Sequence, residues 1–299
     1  MIFCCGEALV DMIQDPATGG FLPHPGGAAL NSAVALGRLG QPVGLIAGLS
    51  DDQFGVQLMS HARDHGVDDA WIVHNRLPTT LAFVHLMDGD AQYSFYDRHT
   101  AGREIDFTRI PALPKGTQAL LLGGISLIVD PSASAFARLA DEQAGRSVIM
   151  LDPNIRPDLI NDASEYRRRL TEMANCADII KLSEEDIAWL GEETQLIGCA
   201  ITLITRAERG ATARLMNGVQ IDVAAPAIEV VDTVGAGDTF NAAFLTMLRE
   251  NGWLDNSKLK TLGEAELRQT LDFACRAASL SVARAGAMPP SMAEIQSTI

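Results

Sequence analysis

The sequence predicts an α/β fold with a mostly parallel central sheet covered by helices on both faces. Short apolar runs rich in β-branched residues alternate with stretches of helical period, which is the pattern of βαβ units. The apolar runs are continuous rather than alternating, as in parallel strands that are buried on both sides. The chain has 299 residues, 47% of them hydrophobic, so it can bury one large core. We therefore expect one domain over residues 1–299.

The predicted elements follow one another along the chain. The candidate strands lie at residues 43–49, 120–122, 148–151, 178–182 and 201–205. The candidate helices lie at residues 30–39, 54–65, 134–143, 165–175 and 239–250. Several of these helices are followed by a glycine where a helix often ends in a left-handed residue, namely Gly40, Gly66, Gly145 and Gly252. Together these elements predict a doubly wound core.

Two segments interrupt this rhythm, at about residues 12–22 and 79–97. In the second, the runs 81–87 and 93–96 flank the turn Asp88-Gly89-Asp90, which predicts a β-hairpin outside the main sheet. In open α/β sheets, ligands bind beyond the carboxyl ends of the strands. We therefore expect these segments to form a small lid over that edge.

Charge and cysteine content exclude several partners and compartments. The formal net charge is −15, and no cluster of five or more Lys and Arg residues reverses it locally, so nucleic acid and anionic membranes are not expected partners. The five cysteines are odd in number and contain no C-x-x-C pair, which favours a reducing compartment. No basic leader with a cleavage site and no apolar window of about 18 residues is found. We expect a cytoplasmic protein.

The strongest local signal is the run Gly235-Ala236-Gly237-Asp238, where small residues separate an apolar segment from a helix. Backbone N–H groups at such a helix start form an anion hole for a phosphate or a developing negative charge. Asp238 would be held ionised by the positive end of the helix dipole, and an ionised carboxylate can accept the proton of an attacking hydroxyl. The alternative is that Asp238 simply caps the helix, since Asp is a favoured capping residue.

Two further motifs contain residues suited to a polyhydroxylated ligand. Gly26 and Gly27 precede a predicted helix that contains Asn31; two glycines let a ligand approach the backbone, and the Asn amide offers both a donor and an acceptor. Near the start of the chain, Asp11 is expected to end the first strand at the ligand edge. The alternatives are an ordinary helix start, a solvated Asn and a turn Asp.

Direct search excludes several other enzyme classes. The chain contains no Gly-Lys dipeptide, so it has no P-loop, and it contains no G-x-G-x-x-G, G-x-S-x-G or H-E-x-x-H motif. A P-loop ATPase, a dinucleotide-dependent oxidoreductase, an α/β-hydrolase and a zinc protease all lose their main support.

The two glycine motifs, in this order and about 200 residues apart, resemble the two signatures of the ribokinase-like (PfkB) carbohydrate kinase family. The resemblance covers essentially the whole chain. It is carried by residues 6–11, 26–31, 48–55, 152–156, 181–186, 232–240 and 286–287, the last followed by prolines. It implies a three-layer αβα ribokinase-like fold with a small β-sheet lid. The implied activity is transfer of a phosphoryl group from ATP, with Mg²⁺, to a primary hydroxyl of a sugar.

The resemblance also implies roles for individual residues. Asp238 would be the general base, with the backbone of Gly235, Ala236 and Gly237 as the anion hole. Arg156 would lie near the transferring phosphate, the alternative being a surface arginine paired with a nearby acid. The residues implied to hold sugar hydroxyls are Asp11, Gly26, Gly27 and Asn31.

On the nucleotide side the chain departs from the family pattern. The residues implied there are Lys181, Ser183, Asp186, Thr205, Gly210 and Cys275. Ser183 and Asp186 replace the N-x-x-E that organises the waters around Mg²⁺, Ala207 stands where Gly is usual, and Cys275 stands where an Asn often meets the adenine. A monovalent cation, K⁺, is implied beside the anion hole. Its implied ligands are Asp232 and the carbonyls of Val234, Val282, Ala285 and Ala287.

The lid segment 93–103 and the Lys-x-Ser form at Lys181 are most similar to those of bacterial fructokinases. That similarity implies D-fructose as the substrate, with Phe95 as a pocket wall and Arg98 in contact with the ketose. Arg98 and Arg103 would also suit the carboxylate of 2-keto-3-deoxygluconate, and an aminoimidazole riboside is a third possible substrate. A non-catalytic sugar or nucleoside sensor is the alternative of another class. Homodimer formation stays open.

Overall fold

The computed structural model describes residues 1–15, 17–87, 90–191 and 199–297. The strands are β1 Ile2–Cys5, β2 Leu9–Gln14, β3 Phe21–Gly26, β4 Val43–Ile46, β5 Gly48–Ser50, β6 Val67–Asp68, β7 Val73–Asn75, β8 Leu81–Met87, β9 Asp90–Tyr96, β10 Ala119–Gly123, β11 Val148–Asp152, β12 Ile179–Ser183, β13 Ile201–Thr205, β14 Ala211–Leu215 and β15 Gln220–Val223. The helices are α1 Ala28–Arg38, α2 Gln53–Asp64, α3 Ser132–Gln143, α4 Ala163–Ala174, α5 Glu184–Leu190, α6 Ala236–Glu250, α7 Asn256–Leu259, α8 Glu264–Val282 and α9 Met292–Gln296.

The main sheet runs in the order β15-β14-β13-β12-β11-β10-β1-β4-β6 in the described part of the chain. Its pairings from β13 to β6 are parallel, whereas β14 and β15 are antiparallel. Successive residues of β1 enter different cores: Ile2 and Cys4 pack with α1, α6 and α8, while Phe3 and Cys5 pack with α3 and α4. This alternation follows from the two-residue period of a strand. The predicted α/β fold with three layers is confirmed.

Two strand predictions were wrong in the same way. The apolar segment 43–49 is not one strand, because β4 ends at Ile46 and β5 then leaves the main sheet to pair with β7. Likewise the first strand ends at Cys5, and Asp11 lies in β2, which belongs to a different sheet. A continuous apolar run does not reveal where a chain passes from one sheet to another, because both sheets are buried there.

A separate four-stranded sheet has the order β3-β2-β8-β9. It includes the predicted hairpin, with Leu81 opposite Tyr96 and Met87 opposite Asp90; Asp88 and Gly89 of the predicted turn lie outside the described residues. The other half consists of β2 and β3. It begins at Leu9 and ends at Gly26, and is therefore longer at both ends than the predicted segment 12–22. We call this element the small sheet.

The helices begin earlier than the apolar pattern predicted. For example, α6 begins at Ala236 rather than at residue 239, because the first turn carries small and polar residues that add nothing to the apolar period. The glycines expected beyond the helix ends all have positive φ, between 68° and 78°. The long helix α8 was not among the predicted elements. Its buried face is rich in Ala and Ser, so its contrast with the exposed face is weak.

All five cysteines are free thiols, and four of them are buried. Among the described residues, no helix combines the length and apolar character needed to cross a bilayer.

Candidate active site

The parallel strands β1, β10, β11, β12 and β13 end side by side along one edge of the main sheet, since Gly123 pairs with Asp152 and Ser183 with Thr205. Open α/β sheets bind ligands beyond this edge. Of the predicted site residues, Ser183 and Thr205 lie at these strand ends, whereas Asn31 lies on α1 and Asp238 on α6.

The Gly235-Ala236-Gly237 run forms the start of α6. Gly235 is the N-cap residue with φ 75° and ψ 5°, a left-handed conformation that glycine adopts without strain. The N–H groups of a first helical turn have no acceptor within the helix, so this segment can hold an anion. Ala236 N–H already donates to Thr233 O at 3.3 Å. The backbone N–H groups of Gly235 and Gly237 are therefore the remaining donors of the predicted anion hole.

Asp238 is not the helix cap. It is the third residue of α6, and no side chain caps this helix. Its side chain is 8% exposed, and Asn31 Nδ2 donates to Asp238 Oδ2 at 3.0 Å. The capping alternative is therefore wrong, and the carboxylate of Asp238 stays available for another role.

The expectation that the helix dipole keeps Asp238 fully ionised needs revision. Burial raises the pKa of Asp238 to about 7, because desolvation disfavours the charged form. The Asn31 hydrogen bond opposes this rise, Asp152 adds to it, and Lys181 opposes it. A carboxyl group with a pKa near 7 is suited to general base catalysis at neutral pH.

The side chain of Lys181 is buried. Lys181 Nζ lies 3.1 Å from Asp152 Oδ2, and Asn241 Nδ2 donates to the same oxygen at 2.6 Å. Burial lowers the pKa of Lys181, but Asp152 and Asp186 outweigh burial and leave it raised. The predicted contact of Lys181 with the nucleotide is therefore replaced by a buried ion pair.

The glycine pair before α1 allows Asp11 and Glu7 to pack closely against the backbone. A Cβ at Gly26 would lie 2.0 Å from Asp11 Oδ2, and a Cβ at Gly27 would lie 2.6 Å from Glu7 O. The pair is therefore required by packing, which the sequence interpretation did not foresee. Binding of sugar hydroxyls near Gly26 and Gly27 stays a prediction.

Asp11 and Phe95 share one face of the small sheet. Asp11 lies opposite Ala82 in β8, and Ala82 lies opposite Phe95 in β9, so the two side chains project to the same side, one strand apart from each other across a small residue. Burial, followed by the charge of Glu7, raises the pKa of Asp11 to about 7. A carboxyl group beside an aromatic ring is an arrangement that suits a sugar.

The three arginines near the site differ in their partners. Arg156 Nη1 donates to the carbonyl of Ile155 at 3.1 Å, and within the described ranges it forms no ion pair, so the alternative of a surface pair with a nearby acid is not supported. Arg103 lies 3.5 Å from Asp97 in an ion pair. Arg98 is exposed at the end of β9.

The residues Ser183 and Asp186 close the start of α5. Asp186 Oδ2 accepts from Ser183 N and Ser183 Oγ, each at 2.7 Å, and Asp186 Oδ1 accepts from Ile155 N at 2.8 Å. This is a capping box in which both carboxylate oxygens are engaged. The buried Asp186 therefore does not fit the predicted role of organising waters around Mg²⁺.

Two other predicted nucleotide residues have structural roles. A Cβ at Gly210 would lie 2.0 Å from Val223 O, so the glycine permits a close approach of β15. The Cys275 sulfur is buried in the core with α6 and α1, so the prediction that it meets the adenine is wrong; Cys275 lies on the inner face of α8. Thr205 Oγ1 donates to Leu182 O at 3.4 Å at the open edge of the sheet.

The predicted K⁺ ligands lie on two adjoining segments. Asp232 Oδ1 accepts from Val234 N at 3.0 Å and Asp232 Oδ2 accepts from Gly286 N at 2.8 Å, which joins segment 232–235 to segment 285–287. Val282 O already accepts from Val231 N at 2.8 Å and Asp232 N at 3.1 Å, so it is not free to bind a cation. Asp232 and the carbonyls of Val234, Ala285 and Ala287 still fit a cation with oxygen ligands.

The comparison with protein families decides the identity of the chain. The pfkB family carbohydrate kinases match residues 1–294. The chain belongs to this family. Among its relatives, a fructokinase from Rhizobium leguminosarum bv. trifolii is 40% identical over 91% of this chain and 87% of its own length.

Two solved pfkB-type structures resemble this one closely. A fructokinase from Xylella fastidiosa with bound ATP has a TM-score of 0.91 at 28% identity, and the match covers 99% of this chain and 97% of that one. A double mutant of fructokinase from Vibrio cholerae O395, bound to fructose, ADP and a potassium ion, has a TM-score of 0.87 at 25% identity with the same coverage of both chains.

Sequence reasoning missed three residues of this pfkB-family site. Glu7 accepts from Ala28 N at 3.2 Å and from Ser126 Oγ at 3.1 Å, so it fixes the start of α1. Asp152 and Asn241 form the polar cluster with Lys181. Asn241 stands three residues after Asp238, which places both on one helix face and was a usable signal. For Glu7 and Asp152, nothing in the sequence indicated their partners.

Proposed function

We propose that this protein is an ATP-dependent fructokinase in which Asp238 is the general base. The observation that carries the proposal is the position of Asp238, a buried carboxyl group with a pKa of about 7, one residue after the glycine-rich start of a helix. The relatives named above support the reaction, since they are fructokinases and one binds fructose and ADP. The site residues support how the reaction proceeds.

In the proposed reaction the 6-hydroxyl oxygen of fructose attacks the γ-phosphorus of ATP in line while its proton passes to Asp238. A new O–P bond forms, the bond from the γ-phosphorus to the bridging oxygen breaks, and ADP leaves with the electron pair. The N–H groups at the start of α6 and the guanidinium of Arg156 stabilise the negative charge that spreads over the phosphoryl oxygens. Asn31 orients the carboxylate of Asp238 through its hydrogen bond.

The small sheet favours a neutral sugar over a carboxylate-bearing one. Arg103 is engaged by Asp97, which leaves Arg98 as the one arginine of the pair proposed to contact the substrate. Asp11 is suited to sugar hydroxyls, since a carboxylate accepts hydrogen bonds from them, and its charge would repel the carboxylate of 2-keto-3-deoxygluconate. Phe95, on the same face, would pack against the sugar.

ATP is proposed to bring Mg²⁺ on its phosphates, where the ion supplies compensation for negative charge. K⁺ is proposed to bind Asp232 and the carbonyls of Val234, Ala285 and Ala287, close enough to the start of α6 to add positive potential there. A cytoplasmic location and a homodimer remain parts of the proposal; the free cysteines support the first.

The decisive experiment is a coupled assay of ADP release at fixed MgATP with fructose, 2-keto-3-deoxygluconate, ribose and an aminoimidazole riboside. We expect the highest kcat/KM with fructose. A higher value with another sugar would overturn the substrate assignment while leaving the kinase assignment intact. Binding of fructose without ADP release from any sugar would instead support a non-catalytic sensor.

A further inference from the structure

The ion pair between Lys181 and Asp152 is buried directly behind the proposed base and has no part in the reaction described so far. Lys181, Asp152 and Asn241 are each 5% exposed or less. A buried charge pair is rarely a net gain in stability, since desolvation of two charges offsets their attraction. The position of this ion pair is therefore better explained by its electrostatic effect on neighbouring groups.

The ammonium group of Lys181 lies beneath the anion hole. A Cβ at Gly237 would stand 3.3 Å from Lys181 Nζ, so the cation lies close to the backbone of Gly237. Gly237 is the residue just before Asp238 and belongs to the predicted anion hole. The positive charge thus lies next to the backbone that carries both functional features.

Asp152 and Asp238 face a common small cavity, together with Asn241 and Ser32. Its space for the centre of a water molecule is about 10 Å³, and one water needs roughly 10–15 Å³ by this measure. The cavity therefore has room for about one water molecule beside the two carboxylates. Among the described residues, Asn241 Oδ1 is buried with no hydrogen-bond partner, and it would accept a hydrogen bond from such a water.

We propose that Lys181 and Asp152 are positioning residues that set the protonation state of Asp238: the ammonium of Lys181 keeps the Asp238 carboxylate ionised, and Asp152 limits that effect. The inference deepens the proposed function, because it rests on Asp238 as the base. Lys181 and Asp152 act through Asp238 and through the backbone of Gly237, not through contact with the sugar.

The charges that face Asp238 come from three neighbouring elements. Lys181 lies on β12 and lowers the pKa of Asp238; Asp152 on β11 and Glu7 after β1 raise it. The thiol of Cys4 on β1 also feels the charge of Asp238, but burial raises its pKa well above neutral. The two members of the ion pair therefore shift the pKa of Asp238 in opposite directions.

The test uses three variants of the full chain: Lys181→Met, Asp152→Asn and the double variant that carries both. The pKa of Asp238 is read from the ¹³C carboxyl resonance that Asp238→Asn lacks, and from the acid limb of kcat/KM against pH. We expect Lys181→Met to move this pKa up by about one pH unit or more, because two facing carboxylates then share one proton. We expect Asp152→Asn to move it down by about one unit.

The double variant should return the pKa of Asp238 close to that of the wild type, because both charges are gone. The exposed Lys260→Met serves as a control for the loss of a lysine. Shifts in the same direction for both single variants, or no shift in either, would overturn the inference. Should Lys181→Met fail to fold, Asp152→Asn decides alone, and an unchanged pKa there would equally overturn it.

The two readouts separate this inference from the proposed function. Absence of sugar-dependent ADP release in the wild type would overturn the kinase assignment, yet the carboxyl resonance would still report whether the ion pair controls Asp238. Conversely, the wild type could be active and the Asp238→Asn variant inactive while the acid limb does not move in the ion-pair variants. That result would overturn only the role of Lys181 and Asp152.

Discussion

Asn31 and Asp238, 207 positions apart in the sequence, are joined by a hydrogen bond of 3.0 Å from the Asn31 amide to Asp238 Oδ2. Asn31 lies in α1, just after the glycine pair proposed to meet the sugar, and Asp238 lies in α6, just after the anion hole. The two helices pack against each other. The sugar side and the phosphate side of the site are thus linked through one hydrogen bond to the proposed base.

Replacing Asn31 with Ala should lower kcat/KM for fructose by roughly 10- to 100-fold, the range expected for a hydrogen bond to a charged group. Loss of this donor should also move the acid limb of the pH profile to higher pH, since the bond lowers the pKa of Asp238. Steady-state kinetics across pH measure both effects, with the exposed Asn175→Ala as control. A drop in activity without movement of the limb would indicate a contact with sugar alone.

Replacing Asp238 with Asn should reduce kcat by roughly 10²- to 10⁴-fold, because the proton of the attacking hydroxyl loses its acceptor. ATP affinity should change little, since the backbone of the anion hole is kept. The coupled assay measures turnover, and calorimetric titration with a non-hydrolysable ATP analogue measures binding. Turnover near the wild-type value would contradict the assignment of the base.

Activity should decline as the pH falls below about 7. The base must be ionised, and burial raises the pKa of Asp238 to about 7; the pKa of Asp11 is raised to a similar value. The value of kcat/KM should therefore fall at least about tenfold per pH unit well below this point. A profile that is flat from pH 5 to pH 8 would show that neither carboxyl group has to lose a proton.

Stability should show the opposite pH dependence. In the folded state Asp238 and Asp11 keep their protons up to about pH 7, whereas in the unfolded chain they lose them near their ordinary value of about 4. The free energy of unfolding should therefore fall as the pH rises from about 4 to 7, by up to about 1.4 kcal/mol per pH unit for each group.

The variant Asp238→Asn removes one of these contributions, so its stability advantage over the wild type should grow between pH 5 and pH 8. Thermal unfolding at several pH values, without ligands, measures the difference, and the exposed Asp64→Asn is the matched control. A difference that does not depend on pH would place the pKa of Asp238 near its ordinary value.

Potassium should activate the enzyme, and Asp232 should be required for activation. Activity measured in KCl is expected to exceed activity in NaCl at equal ionic strength, and Asp232→Ala should abolish the difference, because Asp232 both contributes a ligand and joins the two ligand segments. Equal activity of the wild type in both salts would remove K⁺ from the proposal.

Much of the fold could be predicted because the apolar pattern is local. The strand at Ile201–Thr205 was placed at its true bounds, and the five predicted helices were found within three residues of their ends. The break at Ala47 between β4 and β5 and the change of sheet between β1 and β2 could not be predicted, because these transitions depend on which neighbour each strand meets.

For the site, the sequence by itself determined which segments take part. The order of the glycine motifs and the run from Gly235 to Asp238 carried the resemblance to the pfkB family, and that resemblance implied a sugar kinase. Only the tertiary structure decided what each side chain contacts. It placed Lys181 beside Asp152, engaged Asp186 in a capping box and turned Cys275 into the core, because hydrogen bonds and burial are set by residues distant in the sequence. The pKa of Asp238 is such a property, since it depends on Asn31, Asp152 and Lys181 together.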